Sequence, residues 1–344
     1  MGGEPSVPDA GEKGQTLREK NMKRIRNKSS VQGIAVSPAY YLGKAVWSIV
    51  RFFFLLGMTF IILYPIMYML SMALRDSVDM YDSSVVWIPR HFTLENFKLL
   101  FTSLDFLPAL KNSAIITIVC TLLQTLICAM TGYGFAMYKF KGRKLLLAVV
   151  IFTIIVPPQM VNLPNYLLFS DFDIFGILHA VTGAEKTFSM LDKYYAVFLL
   201  AALGQGIRSG LFILIFYQYF RSVPKELQEA AMLDGCGEFR LFSRIMLRNA
   251  SGPIITTTIF SAVWYWNDYY TMTTFFINIR TVSTKLTGLT SSLTALMGND
   301  AYNPYKIMTI QQAACFTVLL PALILFIVLQ RRFSRSVLTS GLVG

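Results

Sequence analysis

Arg221-Ser-Val-Pro-Lys-Glu-Leu-Gln-Glu-Ala-Ala-Met-Leu-Asp-Gly-Cys-Gly-Glu-Phe-Arg-Leu-Phe-Ser-Arg-Ile-Met-Leu-Arg248 lies between two long apolar runs. A plain connection between helices takes only a few residues. This one has about 28, patterned as two short helices. Pro224 suits the first turn of the first helix, with Ser222 as its expected N-cap. Leu227, Ala230, Ala231 and Met232 form an apolar side, and Glu226 and Glu229 a polar one. Asp234-Gly235 is a break, where glycine takes the left-handed geometry that ends a helix. Phe239, Phe242 and Ile245-Met246 then make a second amphipathic strip. Such a segment is either a docking element or a loop lying on a membrane surface.

The surroundings supply the membrane. Of 344 residues, 54% are hydrophobic and 15% charged, and the mean hydropathy is +0.52. A soluble globule carries about 25% charge because its surface must face water. The uncharged run Phe52 to Leu74 has 23 residues. At 1.5 Å per residue it reaches roughly 35 Å, beyond a hydrocarbon core of about 30 Å. Five more runs follow, two of them interrupted by Arg208 and Asp268. The expected fold is an all-α integral membrane protein with six transmembrane helices, at about 46–74, 111–138, 145–170, 194–220, 253–279 and 307–330. They make one domain over 45–335, with a partly disordered polar tail at 1–44, the polar loop at 221–250 and a short tail at 336–344. No signal-peptide cleavage pattern follows the basic amino-terminal tail.

Charge chooses the sides. With the amino terminus inside, the inner segments hold 21 of the 31 Lys and Arg and 8 of the 19 acidic residues. The outer loops 75–111, 171–193 and 280–306 hold 9 basic and 10 acidic residues. Cytoplasmic loops are the ones that carry excess Lys and Arg, so both termini are expected in the cytoplasm. Topology accounts for nearly all of the net +12, and no nucleic-acid partner is expected. The four cysteines form no CxxC pair, and His91 and His179 stand alone. No metal site and no catalytic set is expected.

The loop resembles the EAA loop of the membrane subunits of ATP-binding-cassette importers. That pattern is Glu-Ala-Ala, three residues, Gly, nine residues, then Ile-x-Leu-Pro. Here it reads Glu229-Ala230-Ala231, Gly235, then Ile245-Met246-Leu247, with Arg248 in place of the proline. The flanking Pro224-Lys225-Glu226-Leu227, the Trp264-Tyr265-Trp266-Asn267-Asp268 segment, Asn112-Ser113, Tyr133 and Pro157-Pro158 are similar to the carbohydrate (maltose-type) permeases of that class. The resemblance implies a type I importer permease in the bacterial plasma membrane, a transport subunit and not an enzyme. It implies an ATPase dimer on separate chains, which would hold ATP and Mg; this chain itself is expected to carry no cofactor. It also implies a second, non-identical permease, an extracellular solute-binding protein and a saccharide substrate. Glu229, Ala230, Ala231, Asp234 and Gly235 would be the ATPase-coupling residues. No GxxxxGK[ST] run is present in the sequence.

Polar residues within the apolar runs are the candidate substrate path. An Arg at a span centre costs roughly 2.5–3.5 kcal/mol on insertion scales, so Arg208 should face protein or water. It reads as a donor to sugar hydroxyls or a uronic-acid carboxylate, or as a structural partner of Asp268. Trp264, Trp266 and Asn267 read as path lining or as an interfacial belt. A secondary transporter using Asp268 as its ion site, and a permease for a non-sugar solute, are the alternatives. The loop acids Glu226, Glu229, Asp234 and Glu238 follow solvated helix faces and not an enzyme site. The outer loop 280–306, rich in Thr, Ser and Gly, reads as flexible and polar.

Overall fold

The computed structural model describes residues 38–173, 188–298 and 303–341, with residues 180 and 183. Among these residues the chain is helical, and the one β feature is an isolated bridge between Arg75 and Phe92. The helices are α1 (Pro38–Ala73), α2 (Glu95–Thr102), α3 (Phe106–Met137), α4 (Arg143–Ile155), α5 (Pro158–Ser170), α6 (Tyr194–Ala202) and α7 (Ser209–Ser222). After them come α8 (Lys225–Leu233), α9 (Ser251–Asn267), α10 (Tyr270–Phe275), α11 (Val282–Thr287), α12 (Leu289–Met297) and α13 (Pro304–Gly341). A π-helical stretch, Leu241–Met246, lies between α8 and α9.

The chain divides after Pro65 into two compact units. In the first, every α1 side chain from Tyr41 to Pro65 is exposed, most of them apolar. That is a surface made for lipid, since water would charge its full hydrophobic penalty against it. The second unit starts at Ile66 and holds the core.

Among the described residues, three helices are long and apolar enough to cross a membrane: Tyr41–Ala73, Phe106–Met137 and Pro304–Gln330. Arg143–Ile155 and Pro158–Ser170 make a fourth crossing if taken together, although they meet at a bend of 104°. The remaining two expected spans are each broken into shorter helices. The run 194–220 becomes α6 and α7, and 253–279 becomes α9 and α10. The causes are local. Pro157 is extended and Pro158 opens α5, because a residue before proline is pushed out of the helical region. Gly204 and Arg208 both sit at positive φ, 75° and 55°, between α6 and α7. Asp268 is extended, and its Oδ1 accepts from the Thr271 amide to start α10.

α3 is the central post. Its buried positions Ser113, Ile116, Thr117, Cys120, Thr121, Gln124 and Cys128 recur at three- and four-residue steps, one inward stripe. It packs against α6, α7 and α9. One apolar cluster joins Tyr133 on α3, Phe216 and Phe220 on α7, and Phe242 and Met246 of the polar loop. Another joins Cys120 on α3, Ala196 and Leu200 on α6, and Phe275 on α10. A third joins Leu100, Phe106, Trp266, Leu289 and Ile310.

Several expectations change here. Ser222 does not cap α8: it ends α7, its hydroxyl donating to the Tyr219 carbonyl, and Pro224 occupies the cap position of α8. The outer segment 280–306 is not simply a flexible loop, since α11 and α12 fill most of it and Thr281 and Thr284 form a reciprocal capping box. Helix α1 begins at Pro38, inside the expected tail; residues 1–37 of that tail lie outside the described residues. Likewise α13 runs to Gly341, through most of the expected 336–344 tail.

Two of the connections between helices are anchored by carboxylates. Asp79 is buried and accepts from the Arg90 and His91 amides and the His91 ring. Asp192, at φ 59°, accepts from the amides of Ile277, Asn278 and Ile279 and from the Asn278 side chain. At both acids burial pushes the carboxyl up, but these donors more than offset it and hold it below the usual carboxylate range.

Candidate functional site

All three broken helix pairs contribute to one cavity of about 430 Å³, within the roughly 300–1,000 Å³ of small-molecule sites. Asn162 and Asn165 on α5, Gln205 and Arg208 in the α6–α7 break, and Tyr265 and Asp268 at the end of α9 line it. Irregular backbone at membrane depth persists only where protein or a water-filled cavity satisfies it. Here Gln124 does part of that work. It is fully buried on α3, and its Nε2 donates to the Ile207 carbonyl at 2.7 Å and the Ser209 hydroxyl at 2.9 Å. Its Oε1 accepts from Ser261 on α9 at 2.7 Å. One amide therefore ties α3, the break and α9 together. Gly206 lets the break come this close: a Cβ there would collide with the Tyr265 hydroxyl and stand 3.1 Å from the Gln124 amide.

Arg208 and Asp268 both line this cavity, yet they form no ion pair. The Arg208 guanidinium lies over the Trp264 ring at 5.4 Å, a cation–π contact. Trp264 in turn stacks on Phe212 at 5.3 Å. Asp268 uses Oδ1 at the start of α10, and its buried Oδ2 has no hydrogen-bond partner. The cavity thus holds a guanidinium donor and a carboxylate acceptor, each with unused capacity.

The other two candidates sit elsewhere. Trp266 is buried against α13, its Nε1 donating to the Val318 carbonyl at 3.0 Å. It lines a separate apolar cavity of about 300 Å³ with Ile118, Leu122 and Pro321. The Asn267 side chain turns back to the Val263 carbonyl. From the sequence, Gly204, Gly206 and Gly210 around Arg208 suggest close packing or local unwinding, as found here, but Gln124, Gln205, Asn162 and Asn165 do not stand out. The signal for Gln124 was an uncharged amide inside an otherwise apolar run.

The polar loop is the second part of the site. Gly235 at φ 76° ends α8, and the amides of Asp234, Gly235 and Cys236 return to the carbonyls of Ala230, Met232 and Ala231. Ala231 is buried, whereas Glu229, Ala230, Asp234 and Gly235 are exposed. The apolar side chains split likewise. Leu241, Phe242 and Met246 pack inward, while Leu233 is 88% and Phe239 78% exposed. The loop is thus fixed to the helix bundle on one face and presents an unpartnered face with apolar and acidic groups on the other.

A family model described as "Binding-protein-dependent transport system inner membrane component" matches residues 125–339. The chain belongs to this family. The match takes in the cavity residues from α5 onward and the whole loop, so the resemblance read from the Glu229-Ala230-Ala231 spacing holds. This transport component is 29% identical over 306 residues to protein LplC of Bacillus subtilis (strain 168), covering 87% of the chain and 95% of LplC. It is 28% identical over 288 residues to the arabinooligosaccharides transport system permease protein AraQ of Halalkalibacterium halodurans, covering 83% and 92%. Its fold is similar to that in a crystal structure of a bacterial ABC transporter involved in the import of the acidic polysaccharide alginate. There the TM-score is 0.66 at 17% identity, over 85% of this chain and 98% of the other.

Proposed function

We propose that this inner-membrane transport component is the permease subunit of an ATP-driven carbohydrate importer in the bacterial plasma membrane. It crosses six times with both termini cytoplasmic, the broken helix pairs α6–α7 and α9–α10 each counting as one span. ATP and Mg are held on a separate ATPase dimer. A second, non-identical permease completes the pathway, and an extracellular binding protein delivers the saccharide.

The observation that carries this reading is the loop. A segment with the importer spacing is fastened to the bundle by its buried face and leaves Glu229, Ala230 and Leu233 uncovered. In this reading α8 seats in the ATPase, with Glu229, Ala230 and Asp234 forming the contact, Gly235 its sharp end, and Ala231 packing the helix onto the bundle. The cavity at the helix breaks is the solute path. Arg208 donates to hydroxyl or carboxylate oxygens, and Asp268 accepts from hydroxyls. Trp264 sets the guanidinium plane. Trp266 and Asn267 support the path from outside it. The carbohydrate assignment is supported by relatives such as the arabinooligosaccharides permease protein.

The test is purification of the tagged chain from its native membrane, followed by reconstitution. An ATPase should co-purify, and vesicles should take up oligosaccharide only with ATP inside and binding protein outside. Uptake by the purified chain alone would overturn the proposal.

A further inference from the structure

The loop is joined covalently to α7 and α9, and its side chains also reach a third helix. The Tyr138 hydroxyl, at the end of α3, donates to Glu238 Oε2 at 2.7 Å. One residue earlier, Met137 Sδ accepts from the Gln228 side chain on α8 at 2.9 Å. One turn further back, the Tyr133 ring packs on Phe242 at 5.1 Å and on Phe220 at 5.4 Å. The π-helical stretch makes this possible. Leu241 and Met246 are five residues apart, about one π turn, and both are wholly buried. Glu238 follows the Gly235–Gly237 break and so sits at the joint between the two halves of the loop.

We infer that the Tyr138–Glu238 hydrogen bond is a latch that makes α3 move with the polar loop, so that Tyr138 and Glu238 are positioning residues for coupling. The inference rests on the coupling role proposed for the loop. α3 is continuous from Phe106 to Met137 and also carries Gln124. Fourteen residues separate Gln124 from Tyr138, or roughly 21 Å of helix at 1.5 Å per residue. A displacement of the loop would therefore reach the Ile207–Ser209 break through one stiff element, in parallel with the covalent route through α7.

The test uses the complete transporter in vesicles, with Cys236→Ser and Cys315→Ser and a reporter cysteine, Gln205→Cys, in the cavity. Maleimide labelling is compared without nucleotide and after trapping with ATP and vanadate. The latch predicts that Tyr138→Phe and Glu238→Leu shrink the nucleotide-dependent change in labelling by roughly five- to tenfold, the scale of losing one ordinary net hydrogen bond. Trapped nucleotide should stay at the wild-type level. Glu238→Gln, which still accepts from the tyrosine, should restore the change. The double variant should be no worse than either single one, because the two residues share one interaction. An unchanged labelling response in Tyr138→Phe, or additive effects, would overturn the latch while leaving the coupling role intact. Absence of any nucleotide response in the unaltered transporter would defeat the coupling role, and the latch with it.

Discussion

Arg208 lies over the face of Trp264 and not against Asp268, although both charged residues line one cavity. A direct Arg–Asp pair would have closed the cavity on itself. Holding the guanidinium on an aromatic ring keeps its charge in place while leaving its N–H groups free. Arg208→Lys should retain charge but lose the planar stacking, and Arg208→Gln should lose both. Transport in reconstituted vesicles should fall in that order, by several-fold and then by tenfold or more, since a cation–π contact is worth about 0.5–2 kcal/mol. Equal transport in all three proteins would remove Arg208 from the path.

Gln124 is the second element to test. Replacing it with Leu removes a partner from the Ile207 carbonyl and from the Ser209 and Ser261 hydroxyls, of which Ser261 keeps only Thr121 at 3.4 Å. Each buried polar group left unsatisfied costs about 1–3 kcal/mol. The detergent-solubilised complex should therefore unfold at a lower temperature, by several degrees in a thermal-shift assay. Gly206→Ala should act in the same direction by pushing the Tyr265 hydroxyl and the Gln124 amide away.

Asp192 makes the connections it anchors sensitive to acid. Its carboxyl is held below the usual range by four donors, so its stabilising contribution is fully present above the ordinary carboxylate pKa of about 3.9. That contribution is lost as pH falls through the lowered folded-state value. Asp192→Ala should increase protease cleavage of the 275–280 segment at pH 7. The difference from the unaltered protein should vanish once both are brought well below pH 3.9.

Glu229→Lys should uncouple the loop without disturbing the fold. The side chain is exposed, and surface changes of this kind usually stay within about 0.5 kcal/mol of neutral. The variant should insert and accumulate normally, yet lose ATP-dependent uptake and retain less ATPase on purification. Full uptake would take Glu229 out of the interface.

The broad architecture was legible because it depends on residue type alone. Apolar runs and the spacing from Glu229 to Leu247 are both one-dimensional features. The breaks within those runs were half legible. Pro157-Pro158 announced the bend between α4 and α5, and Gly204 and Gly206 suggest unwinding beside Arg208, but nothing local said that Arg208 itself would take φ 55° or that Asp268 would end α9. Those conformations are stabilised across the bundle, by an amide on α3 and a ring on α9, and such partners are remote in sequence. Trp266 shows the converse. Its neighbours in sequence suggest a path residue, whereas the Val318 carbonyl on α13 fixes it in the core.

The seam shared by α4–α5, α6–α7 and α9–α10 has a mechanical consequence. Where helical bonding is already interrupted, halves of a rod can pivot without rupturing a ladder, and the activation barrier to opening stays low. A transporter built from unbroken rods would have to slide them whole through lipid. This one carries its joints beside the cavity that Arg208 and Asp268 line.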